Sequence, residues 1–146
     1  MSFVLDPKLK NDCYMLGTID GSYLLLMKNA MFPWYVLVPD TDEIELHNLS
    51  AQLQSKVLRQ INFVSKFIEG NNRTDKINIG AIGNIVPQLH IHIIGRSIDD
   101  ICWPDVVWGT KEFREYQPGK FEEIKEKFSL FLKEKYIQEC DKAAPS

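Results

Sequence analysis

The sequence predicts an α+β domain, a mainly antiparallel sheet of about five strands with two main helices. Apolar runs of strand length are separated by turn dipeptides, and two long segments carry apolar residues at helical spacing. The order hairpin, strand, helix, two further strands and a closing helix fits a sheet whose neighbouring strands run antiparallel. A chain of 146 residues is long enough for one domain with a real core, so residues 1–146 are read as a single unit.

The first two strands fall over Cys13 to Asp20 and Ser22 to Asn29, split by Asp20-Gly21, a dipeptide suited to a tight hairpin turn. Pro33 breaks the chain before a short strand from Trp34 to Val38, which Pro39 and an acidic loop close. Ser50 then caps a helix whose stripe is Leu53, Val57, Ile61, Val64 and Ile68, ended by Gly70-Asn71-Asn72. His47, just before that cap, is read as structural. Lys76 to Gly80 alternates as a strand, and the loop GAIGN turns the chain into the next one. After Pro118-Gly119 comes the last helix, about residues 119–138, with Phe121, Ile124, Phe128, Phe131, Leu132 and Tyr136 on one face. Glu122 and Glu123 near its start, and Lys133 and Lys135 near its end, complement the helix dipole. Residues 143–146 are expected to fray.

Composition narrows the functional classes. No apolar run approaches the ~20 residues that span a bilayer, and the N-terminal MSFVLDPKLK lacks the pattern of a signal peptide, so a cytoplasmic protein is expected. The three cysteines, Cys13, Cys102 and Cys140, are odd in number and unpaired in spacing, which argues for reduced thiols. The formal net charge of −3 comes without a Lys/Arg cluster, which argues against a nucleic-acid polymer as partner. A small anionic ligand needs only local donors.

The stretch that concentrates chemistry is QLHIHIIGR, Gln88 to Arg96, which holds two of the chain's three histidines. On a strand, Gln88, His90 and His92 share one face, and Leu89, Ile91 and Ile93 share the other as the packing row. Same-face neighbours lie about 6.5–7 Å apart, so both imidazoles can address one phosphate.

This stretch resembles the signature of the histidine-triad (HIT) superfamily of nucleotide hydrolases and transferases, in which three histidines alternate with apolar residues along one strand. Here Gln88 occupies the first position, His90 the middle one and His92 the last, followed by Ile93, Ile94 and Gly95-Arg96. The resemblance spans about Cys13 to Trp108 and is strongest from Asn78 to Arg96. Asn29 falls where the family binds ribose hydroxyls, with an ordinary strand-end turn as the alternative. Met27, two residues earlier, shares its face and either lines a base pocket or fills the core. Asn78-Ile79-Gly80 matches the family's Asn-x-Gly strand end, and Gly83-Asn84-Ile85 stands where Gly-Gln-Ser/Thr usually precedes the histidines. Asn84 retains a donor for phosphate; a tight connection is the alternative. Trp34-Tyr35 replaces the family's usual Gly-His, and Trp103-Pro104 with Trp108-Gly109 resembles an element that follows the triad in some branches, as a lid or as packing.

The resemblance implies a HIT-like fold, a homodimer, and attack by His90 on the α-phosphate of a purine dinucleotide polyphosphate or phosphoramidate. A nucleotidyl-His90 intermediate would form and be hydrolysed. His92 would bind the transferring phosphate or leaving group, with a share of general-acid work. Gln88 orients but cannot relay protons, because an amide does not change charge near neutrality. No cofactor on protein ligands is implied, and Mg²⁺ would accompany the nucleotide. The form of the motif is most similar to a bacterial-type, diadenosine-polyphosphate-hydrolase-like branch. Two other readings stay open: a non-catalytic nucleotide-binding sensor or interaction module, and a His-x-His metal site completed by Cys102, Asp99 or Asp100. The segment lacks the length and lysine of a Walker-type loop.

Overall fold

The computed structural model describes residues 3–143, with side chains described through residue 136. A short helix, α1 (Pro7–Asp12), leads into the hairpin β1 (Cys13–Ile19) and β2 (Ser22–Met27), followed by β3 (Trp34–Val38). A single 3-10 turn over Leu46–Asn48 precedes α2 (Ala51–Asn71), and the chain continues through β4 (Lys76–Gly80), β5 (Ile91–Arg96) and α3 (Lys120–Ala143). The strands form one sheet in the order β1-β2-β3-β5-β4, and each neighbouring pair is antiparallel. Among the described residues no helix is long and apolar enough to cross a membrane.

Local chemistry accounts for most boundaries. Asp20 and Gly21 both take positive φ, 45° and 92°, the conformation a two-residue hairpin turn requires. Ser50 Oγ accepts from Leu53 N at 3.1 Å and starts α2. The helix stops when the Asn71 and Asn72 side chains donate to the carbonyls of Phe67 and Ile68, satisfying groups that have no partner within the helix. The first helix was absent from the sequence reading. It is set by Asp6, whose Oδ1 accepts from Lys8 N at 2.8 Å, and by Pro7 at the first helical position. At six residues it is too short to show a periodic stripe. α3 runs five residues beyond the expected 138 and includes Ala143, where fraying was expected to begin; the rest of that stretch, 144–146, lies outside the described residues.

The sheet separates two apolar clusters. On one face Leu24, Leu26, Tyr35, Leu37, Leu89, Ile91 and Ile93 pack against Val57, Phe63, Val64, Phe67 and Ile68 of α2 and Phe128 of α3. This is the packing row expected of the histidine stretch. On the other face lie Cys13, Leu25, Trp34, Val36, Val38 and Ile94, covered by Leu9, Phe32, Val86 and Val107. β3 and β5, buried along their whole length, are the central strands where both clusters meet. Gln60, fully buried on α2, accepts from Ser22 Oγ and donates to the Ile19 carbonyl, both at 2.7 Å, tying the helix to the hairpin end.

The helix-side packing leaves no room at Gly95. A Cβ there would lie 2.6 Å from Ile68 Cγ2 and 2.9 Å from Pro33 Cγ. Gly95→Ala is expected to cost about 1–3 kcal/mol through overpacking, read as a lower urea midpoint at unchanged slope.

Candidate active site

The histidines occupy the sheet face turned away from α2 and α3. His92 lies within β5, opposite Val36 of β3 on one side and Gly80 of β4 on the other. His90 precedes the regular strand, which begins at Ile91 rather than at Gln88. The two rings are nevertheless adjacent, with centroids 5.0 Å apart at 64°, and their residues are only 6% and 8% exposed. Two polar rings this deep in a sheet must be neutral or well partnered.

Hydrogen bonding assigns each ring its own tautomer. His90 Nδ1 lies 2.7 Å from the Gln88 carbonyl, and a carbonyl oxygen only accepts, so Nδ1 carries the proton and Nε2 the lone pair. His92 Nδ1 lies 2.9 Å from Trp34 Nε1, and an indole N–H only donates, so Nδ1 carries the lone pair and Nε2 the proton. One imidazole therefore has a nucleophilic nitrogen and its neighbour a hydrogen-bond donor. Burial, helped by proximity to His90, pushes the His92 pKa down to about 4. As placed, the ring offers a neutral Nε2–H near neutrality, since an added Nδ1–H would oppose the indole N–H.

Tryptophans frame the pair. The Trp108 ring meets His92 edge-on at 5.7 Å and lies against Gly80, where a Cβ would come within 3.1 Å of the indole. Its Nε1 is buried without a hydrogen-bond partner among the described residues. A loop anchored on Arg96 carries Trp108 to this position. Arg96, 2% exposed, donates Nε and Nη2 to Asp100 at 2.7 and 3.0 Å and Nη1 to Asn78 Oδ1 at 2.9 Å. Phe32 and Trp103 face its guanidinium. Asp100 also accepts from the main-chain N–H groups of Ser97, Cys102 and Trp103. Partial burial alone would raise its carboxyl, but the Arg96 bond and charge and the main-chain N–H groups of Ser97 and Cys102 hold it below its ordinary value.

The Gln88 side chain is bound to the main chain of Val4 and Asp6. Asn78 holds Arg96, and Asn84 is exposed in the loop between β4 and β5. Asn29 Oδ1 accepts from Met31 N and Arg114 N, and its Nδ2 donates to the Glu112 carbonyl, so its amide fastens the segment before α3. Met27 and Asn29 border a cleft of about 490 Å³ together with Trp34, Val107, Gly109 and Phe113. His90 and Gln88 border a second cleft of about 300 Å³, between the 44–47 and 81–90 segments. His47, read from the sequence as structural, also lines that second cleft, a placement no periodic signal in its loop could show. Trp34 was missed for a related reason: cross-strand register, not spacing, puts it beside His92. The residues weighed as metal ligands are engaged otherwise, with Asp100 on Arg96, Asp99 on Arg73, and Cys102 Sγ donating to Thr110 Oγ1.

Comparison with known proteins agrees with this geometry. The HIT domain family model matches residues 8–98, more than half of the chain. Among solved structures, the chain is similar to a histidine triad protein of Bradyrhizobium japonicum, at 32% identity and a TM-score of 0.86, covering 90% of this chain and 99% of that one. A histidine triad protein of Sinorhizobium meliloti is 34% identical with a TM-score of 0.80, covering 91% and 96%. One from Marinobacter aquaeolei is 32% identical with a TM-score of 0.84, covering 90% and 96%. No curated protein sequence matches the chain.

The depressed His92 pKa has a measurable consequence. A folded value of about 4 lies below the ordinary histidine value of 6.5, so between these limits the unfolded chain binds the extra proton and the folded one does not. Stability is fully present above the unfolded value and falls as pH drops from about 6.5 toward 4, by up to about 3 kcal/mol. His92→Asn is expected to flatten this dependence in urea titrations, and the His92 ring is expected to stay neutral by NMR at pH 5.5.

Proposed function

The chain belongs to the histidine-triad (HIT) domain family, and from that premise we propose that it is a nucleotide hydrolase or nucleotidyl transferase with His90 as nucleophile. The observation that carries the reading is the pair of opposite tautomers, a free Nε2 lone pair on His90 beside an Nε2–H donor on His92. The His90 lone pair forms a bond to the α-phosphorus of a purine nucleotide as the bond to the leaving group breaks, and the leaving group keeps that electron pair. Water then attacks phosphorus, the P–N bond breaks with its electrons returning to Nε2, and the water's proton passes to solvent. The Nε2–H of His92 stabilises charge that builds on the phosphoryl oxygens. The unpartnered Trp108 Nε1 adds a donor that an anionic ligand would satisfy.

A neutral His92 favours leaving groups that depart as stable anions. A dinucleotide polyphosphate, whose leaving group is a phosphate, is therefore the preferred substrate, ahead of a phosphoramidate, whose amine requires a proton. Asn29 and Met27 would line the nucleoside cleft, and Asn78 and Asn84 the phosphate side. Mg²⁺ would arrive on the polyphosphate rather than on protein ligands. A homodimer belongs to the same proposal, supported by the β4 edge, where Ile79 is 52% exposed and no neighbouring strand follows among the described residues.

Rapid-quench mass spectrometry of the intact protein tests the reading. Wild type exposed to diadenosine polyphosphate is expected to gain one acid-labile adenylyl group, His90→Ala none, and His92→Ala is expected to turn over roughly 10²–10³-fold more slowly. An adenosine phosphoramidate should label more slowly than the anhydride. Tight nucleotide binding with neither adduct nor product would instead assign the chain to the non-catalytic, nucleotide-binding class.

A further inference from the structure

The first triad position carries Gln88, and its side chain is not spent on the histidines. Oε1 accepts from Asp6 N and Nε2 donates to the Val4 carbonyl, both at 2.8 Å, so the amide binds an N-terminal segment more than eighty positions away as a neighbouring strand would. Both polar ends of the amide are used. The segment is anchored on either side of this clamp: the Phe3 ring stacks on Tyr23 of β2 at 5.3 Å, and Asp6 caps α1.

The main chain of Gln88 matters because its carbonyl holds His90 Nδ1 at 2.7 Å. That carbonyl lies outside the sheet ladder. Pairing with β3 begins at Leu37 and Ile91, and pairing with β4 begins at Gly80 and His92, so neither neighbour fixes residues 88–90. The group that orients the nucleophile thus belongs to a residue whose side-chain clamp supplies the restraint the ladder does not.

Building on the nucleophilic role of His90, we propose that Gln88 is a positioning residue that, with the 3–6 segment, aims His90 rather than contacting the reacting phosphate. The clamp restrains the Gln88 main chain, its carbonyl selects the Nδ1–H tautomer, and that tautomer leaves the Nε2 lone pair for phosphorus. The N-terminal segment is then part of the catalytic apparatus without touching substrate.

Three variants test this: Gln88→Ala, deletion of residues 1–5, and Phe3→Ala, which loosens the segment without shortening the chain and stands in if the deletion does not fold. Each is followed by the rate of nucleotidyl-adduct formation with diadenosine polyphosphate and by ¹⁵N NMR of the imidazoles in ligand-free protein. Gln88→Ala and the deletion are each expected to slow adduct formation roughly tenfold to a hundredfold, Phe3→Ala to slow it less, and Gln88→Ala combined with the deletion to slow it no further than either change alone. His90 is expected to lose its single Nδ1–H tautomer, while His92, held by Trp34, keeps Nε2–H as an internal reference. Slow labelling in Gln88→Ala, with wild-type rate and tautomer in both segment variants, would overturn the proposal in favour of direct contact between Gln88 and substrate. A His90 tautomer unchanged in all three variants would also overturn it. The tautomer readout needs no turnover, so it decides the inference even if wild type forms no adduct and the nucleophilic reading fails.

Discussion

Burying two adjacent imidazoles in the face of a sheet imposes the constraint on which the rest of this structure depends. Neither ring can leave its Nδ1 unpartnered at this depth, and two neighbouring positive charges there would be costly. The fold supplies one acceptor and one donor, the Gln88 carbonyl for His90 and the Trp34 indole for His92. Opposite partners enforce opposite tautomers. The pair therefore differs in chemical capacity although both members are the same residue type on the same face.

Meeting that constraint takes several layers of support. Trp34 reaches His92 because antiparallel pairing sets Trp34 opposite Ile94 and Val36 opposite His92, so that the indole spans the diagonal. Gly80 on the other neighbouring strand leaves the space that Trp108 fills. Trp108 in turn depends on the turn after β5, where the buried Arg96–Asp100 pair satisfies its own charges and three main-chain N–H groups at once. A buried ion pair adds little net stability unless its remaining hydrogen-bonding capacity is filled, and here Asn78 and the turn fill it.

The two faces of the sheet divide the labour. The helix side is an apolar core of aromatic and branched side chains, with the buried Gln60 fully bonded. The opposite side carries the histidines and is closed by the N-terminal segment with α1, residues 3–12, and by the irregular connection between β5 and α3, residues 97–114. Asn29 joins the later of these to the end of β2, and the Arg114 main chain donates and accepts there as well. A site walled by loops on a sheet backed by helices keeps its rigid floor while its clefts are shaped by segments without a periodic pattern.

By itself the sequence determined the strands, the two long helices, the Ser50 cap of α2 and the apolar row Leu89, Ile91, Ile93, because period, turn chemistry and capping are local properties written within a few residues. It also determined that His90 and His92 share a face, since alternation along an extended chain requires it. Only the tertiary structure decided what each ring can do. The donor to His92 comes from Trp34, fifty-eight positions earlier, and the clamp on Gln88 comes from Val4 and Asp6, more than eighty positions away. Cross-strand register and the docking of irregular segments set these partners, and neither leaves a periodic mark in the chain. Which nitrogen carries the proton follows from them, because a hydrogen-bond partner fixes a tautomer and a residue's identity does not.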